Sequence, residues 1–384
     1  MPPEDLRAKG RCSGSRVYKL SDNAYSIQAD SEAVGYFATF IMHWGISSEG
    51  VFVLQKKGLL TRIATTLALG TSLLGVGLAH AATAHVSKKT VHQSSVAHRS
   101  TAPQTVYPLT IKDQTGQTVV LKAQPTRIIS LTLGNDEALF NMIPIKRLIG
   151  VDYTATEATY SHVTKAIAKD HIPVFGDANG TLNAEAIIKA KPDLVLVADY
   201  VNQKVVAQLK NAGIPVYEFN NFNSIANIEQ NIQVLGQLVN AQGQAAKLVD
   251  QMKANLAWYQ AHQPKKRPTV LYDSYNYVAG TNTTANDLIR IAGGVNAAAK
   301  VNGWAQVTPE QVIAMNPDVI VIPDDSGAAD TELKTFLANP AFAHLKAVVN
   351  HHVYTASDAN LSAVSQFVVW GVHDMRQIIL NATK

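Results

Sequence analysis

The chain has 384 residues, of which 47% are apolar and 16% charged, with a net charge of +4. That length holds two domains of ordinary size, and so small a charge argues against nucleic-acid binding or steering of a strongly charged ligand. The one cysteine, Cys12, excludes disulfides, cysteine-ligated zinc and a cysteine nucleophile from everything after it.

Residues 1–55 show no periodicity assignable to a domain and read as an upstream extension. Residues 56–81 have the three regions of a secretory signal peptide: basic Lys56, Lys57 and Arg62, a diluted apolar stretch over 63–78, and Ala79-His80-Ala81 as the cleavage site. The stretch is short and rich in small residues for a membrane-spanning helix. No cysteine stands at the cleavage point, so a soluble protein, periplasmic or secreted, is expected rather than a lipid-anchored one. Residues 82–105 lack apolar periodicity and read as a linker, in which His85, His92 and His98 are too irregularly spaced for a metal tract.

Residues 106–224 read as an N-terminal lobe. Residues 109–112 and 118–121 flank Asp113-Gln-Thr-Gly116, a hairpin signal. A buried strand over 126–131 opens into Thr132-Leu-Gly-Asn-Asp-Glu137 and a helix to about Met142. Further strands are expected over 145–151, 172–175, 194–198 and 214–219, with a helix around 205–211. Strands alternating with short helices predict a parallel, doubly wound sheet.

Residues 225–263 carry apolar side chains at helical spacing with no proline. They predict one long interlobe helix, or two with a break near Gln242-Gly243. Residues 264–384 read as a C-terminal lobe, with a strand over 269–273, a helix over 287–292 ended by Gly293-Gly294, Trp304 in a loop, helices over 331–338 and 364–380, and a strand over 348–354.

One unit occurs twice, 125 residues apart: EAIIKAKPDLVLVAD over 185–199 and EQVIAMNPDVIVIPD over 310–324. Asn183 and Thr308 read as N-caps, with Pro309 tolerated at the first helical position. Each helix should end before its proline, and each unbroken apolar run should be a parallel strand buried on both faces.

Phosphate-loop, zinc-protease, serine-hydrolase and dinucleotide-binding motifs are absent from the sequence. What recurs is aromatic and amide side chains at strand ends: Tyr153, Tyr160, Tyr200, Asn220, Asn221, Phe222, Tyr275, Tyr277 and Trp304. Ligands of open α/β sheets bind at those ends, and rigid aromatics suit a large, partly apolar ligand.

The ordered set TRIISL, Leu-Ile-Gly-Val, AExI…KPDLVLVA, Gly213-Ile-Pro-Val, Ala292-Gly-Gly-Val-Asn296, VTPEQV…NPDVIVI and Val353-Tyr354 resembles the iron-complex and cobalamin class of periplasmic binding proteins. The resemblance implies two Rossmann-like lobes joined by one long helix, with a ligand held between them and delivered to an importer's permease and ATPase. It implies that Glu185 and Glu310, one per lobe, dock against permease arginines, a charge-assisted pairing that fixes orientation. It also implies a ligand site that includes Trp304 and Asp358 beside Tyr153, Tyr160, Tyr200, Tyr275 and Tyr277. Asn179 and Ser362 stand where the cobalamin branch has Trp and Arg. That departure weakens the match to the cobalamin branch and disfavours an anionic catecholate, while an aromatic, uncharged cleft suits a neutral hydroxamate siderophore, a corrinoid or haem. No catalytic residue, resident cofactor or bare-metal site is expected, and the protein should act as a monomer. Two other readings stay open: a receptor for a membrane signalling protein, and an enzyme using the interlobe cleft.

Overall fold

The computed structural model describes residues 104–324 and 330–384. The expected extension, the signal peptide and nearly all of the linker lie outside the described residues.

The first elements are an antiparallel ribbon, β1 (Leu109–Lys112) and β2 (Thr118–Leu121), closed by the expected Asp113–Gly116 turn. The Asp113 carboxylate accepts from the backbone N–H groups of Thr115 and Gln117 and so holds that turn. Next come β3 (Ile128–Ser130), α1 (Leu133–Met142), β4 (Leu148–Asp152), α2 (Thr164–Asp170), β5 (Val174–Phe175), α3 (Ala184–Lys189), β6 (Leu194–Ala198), α4 (Gln203–Asn211) and β7 (Val216–Phe219). Strands β3 to β7 form one sheet in the order β5-β4-β3-β6-β7, parallel throughout. Every residue of β6 is buried, as an unbroken apolar run requires when helices cover both faces.

The helical stretch that follows differs from one continuous rod. Helices α5 (Ile225–Val239) and α6 (Gln242–Ala261) run antiparallel, so that Glu229 and Lys253 pair across them at 3.6 Å. The chain reverses at Asn240, whose φ of 54° is left-handed, two residues before the expected break. Gly236 permits the reversal: a Cβ there would lie 2.5 Å from that of Ala245. The bridge is therefore α6 alone, about 30 Å long at 1.5 Å per residue, packed on α1 of the first lobe and on later helices of the second.

The second lobe holds β8 (Thr269–Ser274), β9 (Tyr277–Ala279), α7 (Thr284–Ala292), β10 (Val295–Asn296), β11 (Trp304–Gln306), α8 (Pro309–Met315), β12 (Val319–Asp324), α9 (Asp330–Ala338), α10 (Lys346–Val349), β13 (Val353–Ser357), α11 (Asp358–Leu361) and α12 (Val368–Ala382). Its sheet is mixed. Strands β10, β8, β12 and β13 are parallel, and an antiparallel extension of β9 and β11 grows from β8. Trp304 thus belongs to an edge strand rather than a loop, opposite Ala279. The expected 348–354 strand begins only at Val353, because α10 occupies the preceding turn.

The repeated unit performs one structural task twice. Asn183 caps α3, and Thr308 forms a capping box with Gln311 on α8. The residue before each proline, Lys191 or Asn316, takes a left-handed φ that ends the helix. Each Pro-Asp carboxylate then anchors a central strand. Asp193 accepts from the N–H and hydroxyl of Thr126 at 2.8 and 2.9 Å, and Asp318 from those of Thr269 at 2.9 and 2.8 Å.

Candidate functional site

The two lobes meet along a seam that begins at the N-terminus of α1. The sequence places Gly134, Asn135, Asp136 and Glu137 just after a strand, where solvent exposure is usual, yet all four are buried. Residues 362–367 of the second lobe cover them. A Cβ on Gly134 would stand 2.6 Å from the Val364 carbonyl oxygen, so only glycine allows this approach. Glu137 accepts a hydrogen bond from the Ser365 hydroxyl and another from the His162 N–H at 2.9 Å, while its own carbonyl accepts from the Gln366 amide. Burial pushes the Glu137 carboxyl up to about 7 and the Asp136 carboxyl well above the usual range. His162 packs against Phe367 and Trp370, its Nε2 lies 3.1 Å from the Ala359 carbonyl, and burial lowers it to about 4.

A second crossing holds the 220–224 link to α7. The Thr284 hydroxyl donates to the Phe222 carbonyl at 2.6 Å, and Asp287 accepts from the Ile225 N–H at 3.1 Å. The carboxylate thereby sits at the positive end of α5, whose N-cap is Ser224.

Between these crossings lies a cavity of about 230 Å³, walled by Phe222 and Asn223 from the link and by Tyr272, Trp304, Ser362 and Val364 from the second lobe. Tyr272 is buried, and its ring meets that of Trp304 edge-on at 5.5 Å and 77°. Its hydroxyl lies 3.4 Å from the Ser362 hydroxyl, which donates a short hydrogen bond to Asp358. No residue lining this cavity is charged, among the described residues. A large, partly apolar ligand can stack its rings against such walls, whereas a complex whose metal-binding core is itself anionic, as in a catecholate, finds no counter-charge there.

The expected ligand residues divide into three groups. Trp304 lines the cavity and is 50% exposed. Tyr277 shares its face of the β9–β11 pair, since Trp304 and Ala279 stand opposite each other, as do Gln306 and Tyr277. Tyr275 occupies the β8–β9 turn with a left-handed φ of 52°. Asp358 is buried and accepts a hydrogen bond from the Ser362 hydroxyl, which lines the cavity.

Tyr153, Tyr160 and Tyr200 belong to the first lobe and do not line this cavity. Tyr153 follows β4, and its hydroxyl bonds Glu157; Tyr160 is half-buried on the same segment. Tyr200 follows β6, is 71% exposed and reaches Thr132 through its hydroxyl. Most of the lining is not marked in the sequence as a ligand site: Tyr272 is hidden inside a strand buried on both faces, and Ser362 stands out there only as the loss of an arginine.

Glu185 and Glu310 are both exposed, each in the first turn of its helix. Backbone N–H groups at the start of α8, with the Thr308 side chain, hold the Glu310 carboxyl below its ordinary range. Among the described residues, no three His, Cys, Asp or Glu side chains gather as a metal site, and no helix is long and apolar enough to cross a membrane.

A family profile described as periplasmic binding protein matches residues 128–359. The uncharacterized ABC transporter substrate-binding lipoprotein YvrC of Bacillus subtilis (strain 168) is 29% identical over 289 residues, 71% of this chain and 86% of that protein. A cobalamin-binding protein of Halobacterium salinarum is 28% identical over 219 residues, 55% of this chain and 58% of the relative. The crystal structure of a possible iron-binding (periplasmic solute-binding) protein from Staphylococcus epidermidis ATCC 12228 superposes with a TM-score of 0.59 at 28% identity. It covers 67% of this chain and 99% of its own.

Proposed function

The chain belongs to the periplasmic binding protein family, and on that premise we propose that it captures an iron complex (a siderophore or haem) or cobalamin between its lobes and delivers it to the permease and ATPase of an ABC importer. The observation that carries this reading is the uncharged, aromatic cavity at the seam, walled from the interlobe link by Phe222 and from the second lobe by Tyr272 and Trp304. Trp304 supplies the flat contact face and Tyr277 extends it. Tyr275 closes over it from the turn, and Asp358 acts by orienting Ser362. Tyr153, Tyr160 and Tyr200 form the opposing wall as the lobes approach. A neutral hydroxamate, a corrinoid or haem suits this lining better than a catecholate, which calls for arginine or lysine. In this reading the protein works outside the cytoplasm as a monomer, without a lipid anchor, a resident cofactor or a catalytic step.

The test is a titration of tryptophan fluorescence and mass with cobalamin, a ferric trihydroxamate, a ferric catecholate and haem. One of the three favoured ligands should bind with Kd of about 10 μM or tighter. Trp304→Ala should weaken that ligand at least tenfold, while shifting stability by under about 1 kcal/mol because the residue is half exposed. Binding by none of them rejects the proposal.

A further inference from the structure

A groove of about 950 Å³ adjoins the seam cavity, and Asn223 and Thr283 line both. Its floor is the face of α7 that carries Asn286, Asp287 and Arg290. Its composition is unlike that of the cavity: seven lining residues are asparagine and none is aromatic.

The charges along it are engaged within the chain. Arg290 pairs with Asp287 at 3.2 Å, Asp287 also takes the Ile225 N–H, and Arg267 donates to the carbonyls of Gly293 and Gly294. Three of the amides are held by the oxygen end only. Asn227 accepts from the Ser224 hydroxyl at 2.7 Å through Oδ1, which leaves its NH₂ to the groove. Asn302 accepts through Oδ1 from Asn282 at 2.6 Å, and Asn286 through Oδ1 from Asn296 at 3.2 Å. In each case the amide is fixed at its oxygen while its two hydrogens carry no hydrogen bond among the described residues. Side chains already oriented in this way lose little rotamer freedom when a ligand arrives. They also offer neutral donors and acceptors rather than charge.

We propose that this groove is an extension of the ligand site, holding a neutral arm rich in amide or hydroxyl groups that projects from a ring or chelate seated against Trp304. The inference rests on the reading of the seam cavity as the place where the transported molecule sits. It narrows the substrate class to ligands whose polar arm is uncharged, and it sets those apart from ring ligands bearing only carboxylates.

The double variant Asn227→Asp, Asn302→Asp tests it. Both substitutions keep the Oδ1 acceptors that Ser224 and Asn282 use, while replacing the groove-facing NH₂ with a carboxylate oxygen. Wild type and variant are titrated with cobalamin and cobinamide, two corrinoids whose rings carry neutral amide arms, with a ferric trihydroxamate, and with haem, whose polar arms are carboxylates. In wild type, a ligand with a neutral polar arm should bind at least tenfold tighter than one without. In the variant that preference should collapse through weaker binding of the arm-bearing ligand alone, with an unchanged thermal midpoint. Equal affinities of wild type and variant for whichever ligand binds overturn the groove and leave the receptor reading standing. Wild-type preference for haem overturns it too. Binding of none of the four removes both.

Discussion

The carboxylate of Glu137, in the first lobe, accepts a hydrogen bond at 2.5 Å from the hydroxyl of Ser365, in the second. A buried acid therefore spans the seam, with the His162 N–H as its other donor.

That placement fixes the sign of a pH dependence. Below about 4.5 the Glu137 carboxyl is neutral in both folded and unfolded chains, and its contribution to stability is complete. As pH rises toward and through about 7 the folded state must either hold the proton or ionise a buried group, so stability falls. Asp136 acts in the same direction. His162 acts oppositely: buried neutral, it supports the fold above about 6.5 and loses that support as pH drops through about 4. Glu137→Gln removes one contribution only. Between pH 5 and 8 the variant should gain stability relative to wild type by roughly 1–3 kcal/mol. Chemical denaturation at both pH values measures it, and parallel pH profiles would refute the assignment.

Gly134→Ala should act as a wedge. Its Cβ would meet the Val364 carbonyl at 2.6 Å and the Val364 Cγ2 at 2.9 Å, across the seam rather than within one lobe. Overpacking of this kind costs about 1–3 kcal/mol. Gly371→Ala makes an equally tight contact, 2.4 Å from the Asn360 carbonyl, but inside the second lobe. Both variants should unfold earlier in denaturant. Only Gly134→Ala should also change ligand affinity, because it alters the spacing of the lobes, and equal affinity in the two would argue against that role.

The exposed glutamates lead to a different experiment. Reversing Glu185 and Glu310 to Lys leaves every contact of the seam cavity untouched. Ligand affinity should stay within about twofold, while uptake by cells carrying the cognate importer should be lost, as expected where charge pairs fix a docking orientation. A fall in ligand affinity would argue against a docking role for either glutamate.

Much of the frame is written plainly in the residues. Asn183 and Thr308 announce the helix starts, and the Pro-Asp pairs mark where helices stop and strands begin. The unbroken apolar runs become buried parallel strands because nothing in them alternates. One rod and two helices broken near Gln242-Gly243 stay equally open from the sequence for a physical reason: two antiparallel arms show the same 3.6-residue period as one rod. The clue was Gly236, small where two helices touch, followed by an asparagine able to turn left-handed. The seam was harder still, since Asp136 and Glu137 look like surface residues until the second lobe covers them. Of the seven residues expected to hold ligand, Trp304 lines the cavity directly, because side chains from distant strands meet only through topology.

Trp304 and Tyr277 stand on β11 and β9, the margin of the second sheet, whereas the parallel strands behind them carry the core. With the proposed ligand seated there, substitution at that margin would change which ligand fits while leaving the interior packed, and an engineer who wished to redirect the protein would begin on that short ribbon.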